Sequence, residues 1–400
     1  MNLFILILHI ILYTVWIFLL LNVLYLIFFA LAGFRKVKHS ITEVINYRKI
    51  CVLLPAYKED AVIIDSGLDA IAHKYIGEFD VCVIADKLQP ETVKTLQDHH
   101  VNVVEVKFEK STKGKALWTA LAALPKNDYD IAVVLDADNL MGKGFLDKIN
   151  LAFEEGFRVV QGHRTAKNID TPFAMLDACN EEINNHIFRK GHVNAGLSSA
   201  LIGSGMAFDY NYFIELLDGI GETVGEDKEI DFRILKDGVK IAYLNDALVY
   251  DEKIANANVF QNQRTRWIAT QIEFLKKYFG EGFRLLFKEG NIEFFDKVIQ
   301  TVLLPRILLM GILTLLTLIS FLLPFGPPAL FWVIIWLIGV VSLLISVPKR
   351  LYNRDLLQAV LRLPLAFVAM AMALLRIKRA GKSFMHTPHT ARSHKPQEKE

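Results

Sequence analysis

The stretch "DIAVVLDADNL" (130–140) decides the fold, because an apolar run passes directly into two aspartates one residue apart. A short apolar run that is rich in β-branched residues and ends in polar ones is typical of a buried strand in a parallel sheet. Two neighbouring carboxylates repel each other unless a cation or water separates them. Asp136 and Asp138 therefore indicate either a Mg²⁺ or Mn²⁺ site, or a solvated turn that includes Asn139. The pair alone does not decide between the two.

Three further runs of the same kind precede it: "ICVLLPAY" (50–57), "DVCVIAD" (80–86) and "VNVVEV" (101–106). Helix-like segments such as 115–124 lie between the runs. The alternation predicts an α/β fold with a mostly parallel sheet and helices on both faces. Ligands of such sheets bind beyond the carboxyl ends of the strands. Tyr57, Asp86, Asp136 and Asp138 end these runs, so we expect them on one rim.

The composition points to a membrane protein. Hydrophobic residues make up 53% of the chain and charged residues 22%, and the apolar excess lies at the two ends. The net charge of +2 gives no basic field that would favour nucleic acid as a partner. Cys51, Cys82 and Cys179 are far apart, which predicts neither zinc nor disulfides and fits a reducing cytoplasm.

The first 34 residues contain no Asp, Glu, Lys or Arg, and this length can cross ~30 Å of hydrocarbon. A signal peptide would have a basic start and a shorter apolar core, so we expect a retained membrane helix. The basic segment "RKVKH" (35–39) follows it, which places the next domain in the cytoplasm.

A second apolar block contains two candidate spans, 302–325 and 329–347, joined by "GPP". A third stretch, 356–375, contains Arg362 and Pro364 and is either an interfacial helix, which we favour, or another crossing. We therefore expect a multi-pass protein of the plasma (inner) membrane. Its predicted segments are a transmembrane helix (1–34), a cytoplasmic catalytic domain (48–255) and amphipathic interface helices (256–298). Two transmembrane helices (299–348), an interfacial or third C-terminal membrane helix (353–378) and a basic cytoplasmic tail (379–400) follow.

Three other segments carry candidate chemistry, each beside an ordinary structural explanation. "STKGKALWTAL" (111–121) places Lys113 and Lys115 around a glycine before a helix, which suits phosphate but also describes solvated lysines. "GEDKEIDFRIL" (225–235) places Glu226 and Asp227 in a first helical turn, as caps or as a general base.

The third segment is "QNQRTRWIATQ" (261–271). Gln263 and Trp267 are four residues apart and share a helix face, with Arg266 beside them. Arginine suits phosphate and tryptophan offers a face for sugar stacking. The same residues would also suit an amphipathic helix at the membrane surface.

The order of these segments resembles the membrane-integrated family 2 inverting glycosyltransferases, the branch that includes cellulose, hyaluronan, chitin and poly-N-acetylglucosamine synthases. The matching segments are "LLPAYKED" (53–60), "VIAD" (83–86), "KGKAL" (113–117), "DAD" (136–138), "GSGMAF" (203–208), "GED" (225–227) and "QRTRW" (263–267). The resemblance covers about residues 50–267 and the flanking membrane helices.

The resemblance implies a GT-A fold that uses a nucleotide-diphosphate sugar, usually a UDP-sugar, with Mg²⁺ or Mn²⁺. It implies that Asp227 is the catalytic base and that Asp138, with Asp136, holds the metal. The implied donor-binding residues are Ala56, Tyr57, Glu59, Asp86, Lys115, Asp136 and Arg266. The implied acceptor-binding residues are Gly203, Ser204, Gly205, Met206, Glu226, Gln263 and Trp267.

The tail segment "SFMHTPHT" (383–390) resembles the gating segment of cellulose synthases through Phe384, Thr387 and the adjoining Pro388. His386 and His389 depart from that pattern. The expected activity is processive synthesis of a β-linked polysaccharide from a UDP-hexose or UDP-N-acetylhexosamine. The alternatives are transfer of one sugar to a lipid or glycan acceptor, and a catalytically inactive scaffold in an export assembly. The expected partners are membrane lipids and, for export, another protein or a homo-oligomer.

Overall fold

The computed structural model describes residues 3–35, 44–125, 128–221, 223, 225–253, 257–322 and 325–380. Within them the strands form one eight-stranded sheet in the order β3-β2-β1-β4-β7-β6-β8-β5. The strands are β1 (Ile50–Tyr57), β2 (Phe79–Asp86), β3 (Asn102–Val106), β4 (Ile131–Val134), β5 (Leu140–Met141), β6 (Val159–Ala166), β7 (Met206–Asp209) and β8 (Ile241–Asp251).

The neighbours β3-β2-β1-β4 are parallel, as are β6 and β8, whereas β7 runs antiparallel to both β4 and β6. Alternate residues of β1 pack on opposite faces: Cys51 and Leu53 join one hydrophobic cluster, and Val52 and Leu54 join another. Helices cover both clusters. The predicted fold class is therefore confirmed.

The register of the strands creates the rim. Tyr57 pairs with Asp86 across β1 and β2, and Val134 ends β4 beside Leu53. Asp136 therefore follows the end of its strand at the carboxyl edge of the sheet, where ligands of parallel sheets bind.

The helices between the strands are α2 (Ile63–Ile71), α3 (Pro90–Asp98), α4 (Lys113–Ala123), α5 (Phe145–Glu154), α6 (Pro172–Asn184), α7 (His192–Asn194), α8 (Tyr210–Leu217) and α9 (Glu226–Lys236), preceded in the chain by α1 (Leu3–Ala32). A π-helical turn (Asn185–Gly191) joins α6 to α7. The remaining helices are α10 (Ala257–Glu289), α11 (Ile292–Val302), α12 (Arg306–Ser320), α13 (Ala329–Ser346), α14 (Arg354–Val360) and α15 (Leu363–Ala380).

Two of these helices, α1 and α13, are long and apolar enough to cross a membrane, and up to four crossings result if each of two bent pairs is one span. The pairs are α11 with α12, bent by 56°, and α14 with α15, bent by 43°. The predicted span over 302–325 is thus interrupted at its start, because Pro305 cannot donate a backbone hydrogen bond and α12 begins after it. The membrane topology and the domain boundaries stay predictions.

Candidate active site

A cavity of about 670 Å³ extends from the rim of the sheet past α9 and α10 to the break between α11 and α12. The predicted site residues that line it are Ala56, Tyr57, Glu59, Asp86, Asp136, Gly203, Glu226, Asp227, Gln263, Arg266 and Trp267. The predicted residues outside this lining are Lys115, Asp138, Ser204, Gly205 and Met206. Phe384, Thr387 and Pro388 lie outside the described residues.

Asp86 lies at the rim end of the cavity and is only 3% exposed. Burial raises the pKa of its carboxyl group, and the nearby Ser111 and Lys87 partly offset this. Its Oδ1 atom is buried and has no hydrogen-bond partner among the described residues. Since buried acceptors are normally paired, this oxygen is available to a donor group of a ligand.

The two aspartates after β4 have different surroundings. Asp136 faces the cavity, where its carboxylate forms an ion pair with Lys113 and lies 3.6 Å from Nη1 of Arg164. Asp138 is 1% exposed, and its Oδ2 accepts a hydrogen bond of 2.8 Å from the Glu252 N–H. Asp138 is therefore no solvated turn residue, and Asp136 is the carboxylate that a ligand would meet first.

Lys113, rather than Lys115, lines the cavity. The Thr112 hydroxyl caps α4 by accepting the Lys115 N–H at 3.3 Å, so the helix begins at Lys113. Residues two apart on a helix point about 200° apart, which sends the two lysine side chains to opposite sides. The Lys113 ammonium donates to the Gly203 carbonyl at 2.6 Å as well as to Asp136. It thus ties the start of α4 to the loop after β4 and to the GSGMAF segment.

Glu226 and Asp227 open α9 on the cavity wall. Gly203 has φ +84°, which favours glycine, and a Cβ atom there would lie at ordinary contact distance, 3.8 Å, from Asp227 Oδ2, so the GSGMAF segment lies against Asp227. Burial, and then the charge of Asp227, raise the pKa of Glu226 to about 7. A buried carboxyl group with a raised pKa beside a second carboxyl group is a common feature of acid–base sites.

The α10 residues Gln263, Arg266 and Trp267 line the opposite wall. Gln263 Oε1 is buried without a partner in the described chain. Arg264 pairs with Asp177 at 2.6 Å and stacks 4.1 Å over the Trp267 ring, which fixes that indole. Arg266 has no carboxylate within 4 Å among the described residues, and so presents an uncompensated cation to the cavity.

A buried charge network that no sequence motif predicted lies beside Asp136. Arg164 on β6 contacts Glu181 at 2.9 Å and lies 3.8 Å from Asp251, which in turn pairs with Lys253 at 2.6 Å. Arg189 reaches Glu181 at 3.3 Å. Burial alone would raise the pKa of Glu181, but Arg164, Lys253 and Arg189 lower it to about 2. The one available signal was "YDEK" (250–253), where charges follow an apolar strand as they do after β4.

The sheet, its antiparallel β7 and the polar cavity at the strand ends define an α/β protein of the GT-A type. Residues 48–270, more than half of the chain, match the family described as "Glycosyltransferase like family 2". The chain belongs to this family.

The fold is shared with a solved structure at low sequence identity. A mannosyltransferase from Pyrobaculum calidifontis, solved in complex with GDP-Man and Mn²⁺, is 15% identical with a TM-score of 0.56, and the match covers 93% of this chain and 98% of that one. Glucosyl-3-phosphoglycerate synthase from Mycobacterium tuberculosis is 21% identical over 52% of this chain and 72% of that one, with a TM-score of 0.35. No curated protein sequence matches the chain significantly.

Proposed function

We propose that the protein is a membrane-bound inverting glycosyltransferase that transfers a hexose or N-acetylhexosamine from a UDP-sugar to an acceptor at the membrane surface. One observation supports it above the others: Lys113, Asp136, Gly203 and the Glu226–Asp227 pair, from four distant segments, meet in one cavity.

The donor occupies the rim end in this proposal. Tyr57 and Asp86 lie side by side across β1 and β2, and Asp86 offers an unpaired acceptor that suits the N–H of a nucleotide base. Lys113 and Arg266 carry the positive charge that a diphosphate needs. The predicted role of Lys115 in phosphate binding thereby passes to Lys113 as the lysine that faces the cavity.

The residues present fit a divalent metal. Among the described residues no group of three His, Cys, Asp or Glu side chains is placed to hold an ion. Mg²⁺ and Mn²⁺ sites of phosphate-transferring enzymes commonly use one or two carboxylates together with substrate phosphates. Asp136 would supply the cavity-facing carboxylate, and Asp138 stays the predicted direct ligand. A bound ion would neutralise charge on the leaving diphosphate.

The transfer itself is a single displacement. Asp227 accepts the proton of the acceptor hydroxyl, whose oxygen forms a bond to the anomeric carbon. The bond from that carbon to the diphosphate breaks on the opposite side, so an α-linked donor gives a β-linked product. Lys113 and Arg266 hold the departing nucleoside diphosphate. Glu226 lies beside Asp227 and contacts the acceptor.

Two modes of acceptor use stand beside each other. The Gln263–Arg266–Trp267 wall, which suits a sugar chain, supports processive polysaccharide synthesis. The extension of the cavity to the break between α11 and α12 supports transfer of one sugar to a lipid-linked acceptor. The length of the product, resolved by gel or mass spectrometry, separates the two modes.

The test uses full-length protein in membranes, a panel of UDP- and GDP-sugars, and Mn²⁺, with release of the nucleoside diphosphate as the readout. We expect D227N to bind nucleotide normally but to lose at least about 10³-fold in turnover. The control D98N removes an exposed carboxylate at the end of α3 and should behave as wild type. Near-normal turnover of D227N contradicts the assignment of the base. Absence of nucleotide release with every donor contradicts the proposed activity.

A further inference from the structure

The far end of the cavity differs in character from the rim. Its walls include Phe188, Leu304, Ile307 and Met370, which come from the π-helical turn, the break between α11 and α12, and α15. The helices α11 and α12 form one of the bent pairs that qualify as a membrane span. An apolar wall on such a helix pair suits the hydrocarbon chain of a lipid.

Arg306 stands among these apolar residues. Arg306 is the first residue of α12 and lines the cavity. Its Nη1 donates to Asn184 Oδ1 at 2.8 Å and its Nη2 to the Asn180 carbonyl at 3.2 Å. Both partners are neutral, and no carboxylate of the described chain lies within 4 Å of the guanidinium. Neutral amide oxygens of Asn180 and Asn184 and the Phe188 ring, 5.8 Å from the guanidinium, therefore hold Arg306 in position without a direct carboxylate partner.

Two neighbouring arginines differ from Arg306 because each has a carboxylate partner. Arg189 pairs with Glu181 at 3.3 Å, and Arg264 pairs with Asp177 at 2.6 Å. Glu181 is already shared with Arg164 and Lys253. A cation removed from water is strongly destabilised unless an anion accompanies it. The missing anion at Arg306 is thus left for a ligand to supply.

Specific hydrogen bonds hold the break between α11 and α12 in place. Gln271 of α10 donates through Nε2 to the Thr301 carbonyl at 3.0 Å and to the Leu303 carbonyl at 2.7 Å. Thr270, the preceding residue, packs against Gly225 beside the Glu226–Asp227 pair. Adjacent residues of α10 therefore hold both the proposed base segment and the break that presents Arg306.

We propose that Arg306 binds the phosphate group of a lipid-linked acceptor, whose hydrocarbon chain lies against Leu304, Ile307 and Met370 while a sugar hydroxyl of its head group reaches Asp227. The inference deepens the proposed function, on which it rests, by naming the acceptor as an anionic, phosphate-bearing lipid. The first turn of α12 begins after Pro305 and has no side-chain cap, so its N–H groups add to the positive potential at the phosphate.

The experiment titrates full-length protein in detergent micelles with a polyprenyl phosphate, the uncharged polyprenol of the same length, and inorganic phosphate. The variants are R306Q, R306K and, as a matched control, R284Q on the half-exposed side of α10, where Arg284 pairs with Glu281. We expect wild type, R306K and R284Q to bind the lipid phosphate at least about tenfold more tightly than the alcohol. R306Q should bind the two lipids equally, and inorganic phosphate should bind far more weakly than the lipid phosphate.

Retention of the phosphate preference in R306Q, or equal binding of both lipids by wild type, overturns the inference. Arg306-dependent binding of inorganic phosphate as tight as that of the lipid also overturns it, because the site would then serve a free anion. If R306Q does not fold, wild type and R306K alone test the inference: both should bind the lipid phosphate more tightly than the alcohol. Binding of UDP and GDP with Mn²⁺ to the same samples tests the proposed function separately: its loss in wild type counts against the glycosyltransferase assignment, whatever the lipid result.

Discussion

Lys113 and Asp136 form an ion pair on the cavity wall, although the two residues are separated by β4 and most of α4 in the sequence. The same ammonium donates to the Gly203 carbonyl at 2.6 Å. The contacts of Lys113 therefore join three predicted motifs, "KGKAL", "DAD" and "GSGMAF". Of the two lysines in "KGK", Lys113 is the one that brings positive charge to the cavity.

The two lysines provide a matched comparison. K113M should lower kcat/KM for the sugar donor by about 10²- to 10³-fold, because it removes a cation from the diphosphate position and frees Asp136. K115M should stay within about threefold of wild type, since Lys115 stabilises α4 through its backbone N–H, which the substitution preserves. Steady-state kinetics with varied donor measures both. A larger loss in K115M than in K113M would restore the role predicted for Lys115.

Measurements of metal affinity can distinguish the roles of the two aspartates after β4, Asp136 and Asp138. D136N should weaken Mn²⁺ binding in the presence of nucleoside diphosphate by at least about tenfold, because it removes the carboxylate that faces the cavity. D138N should also weaken Mn²⁺ binding, because Asp138 is the predicted direct ligand. Electron paramagnetic resonance of free Mn²⁺ measures the affinity without catalysis. Unchanged affinity in both variants would argue against a metal at this loop, with D98N as the carboxylate control.

Much of the catalytic sheet could be predicted because its signals are local. The β-branched runs at 50–57 and 101–106 coincide with β1 and β3 within a residue, and buried parallel strands need such runs on both faces. The break before α12 was less visible, since an apolar composition continues through it and only Pro305 marks it. Strand β7 depends on pairing with β4 and β6, which are distant in sequence, and no local pattern specifies that.

The site was predictable where a motif carries its own geometry, as in "DAD" and "GED". It was not predictable where side-chain direction or distant pairing decides. Thr112 caps α4, so the helix begins at Lys113. This starting point decides that Lys113, and not Lys115, lines the cavity. Arg164 finds Glu181 and Asp251 far along the chain, so the buried network has no sequence signature.

The pKa of Glu226, which burial and Asp227 raise to about 7, predicts a pH-dependent stability. The raised pKa means that the folded protein keeps the proton where the unfolded chain loses it. This contribution to stability is complete below the normal pKa of 4.5 and is lost as the pH rises through about 7. E226Q lacks the ionising group, so its Tm relative to wild type should increase between pH 5 and pH 8. Thermal unfolding without donor or metal checks this, and a constant difference in Tm would contradict it.

The buried network around Glu181 predicts a large effect on stability. E181Q leaves Arg164, Arg189 and Lys253 short of a counter-charge, and breaking a buried pair typically costs about 3–5 kcal/mol. The control E105Q removes an exposed carboxylate from β3. Thermal unfolding of the purified proteins should show a clearly lower Tm for E181Q only. Equal Tm values would mean that water compensates these cations.

The contact between α9 and α10 can be tested with a rescue. Gly225 precedes the Glu226–Asp227 pair, and a Cβ atom there would lie 2.5 Å from Thr270 Cγ2, closer than side chains pack. G225A should therefore push α9 away from α10 and lower kcat by about tenfold or more, since misplacement of a reacting group by ~1 Å is enough for such losses.

T270S removes the methyl group but keeps the hydroxyl that donates to the Arg266 carbonyl at 3.0 Å. T270S alone should be nearly neutral, and G225A/T270S should recover part of the lost kcat, because Phe274 still lies 3.2 Å from the added Cβ. A double variant as slow as G225A would contradict the view that the methyl group of Thr270 causes the loss of kcat in G225A.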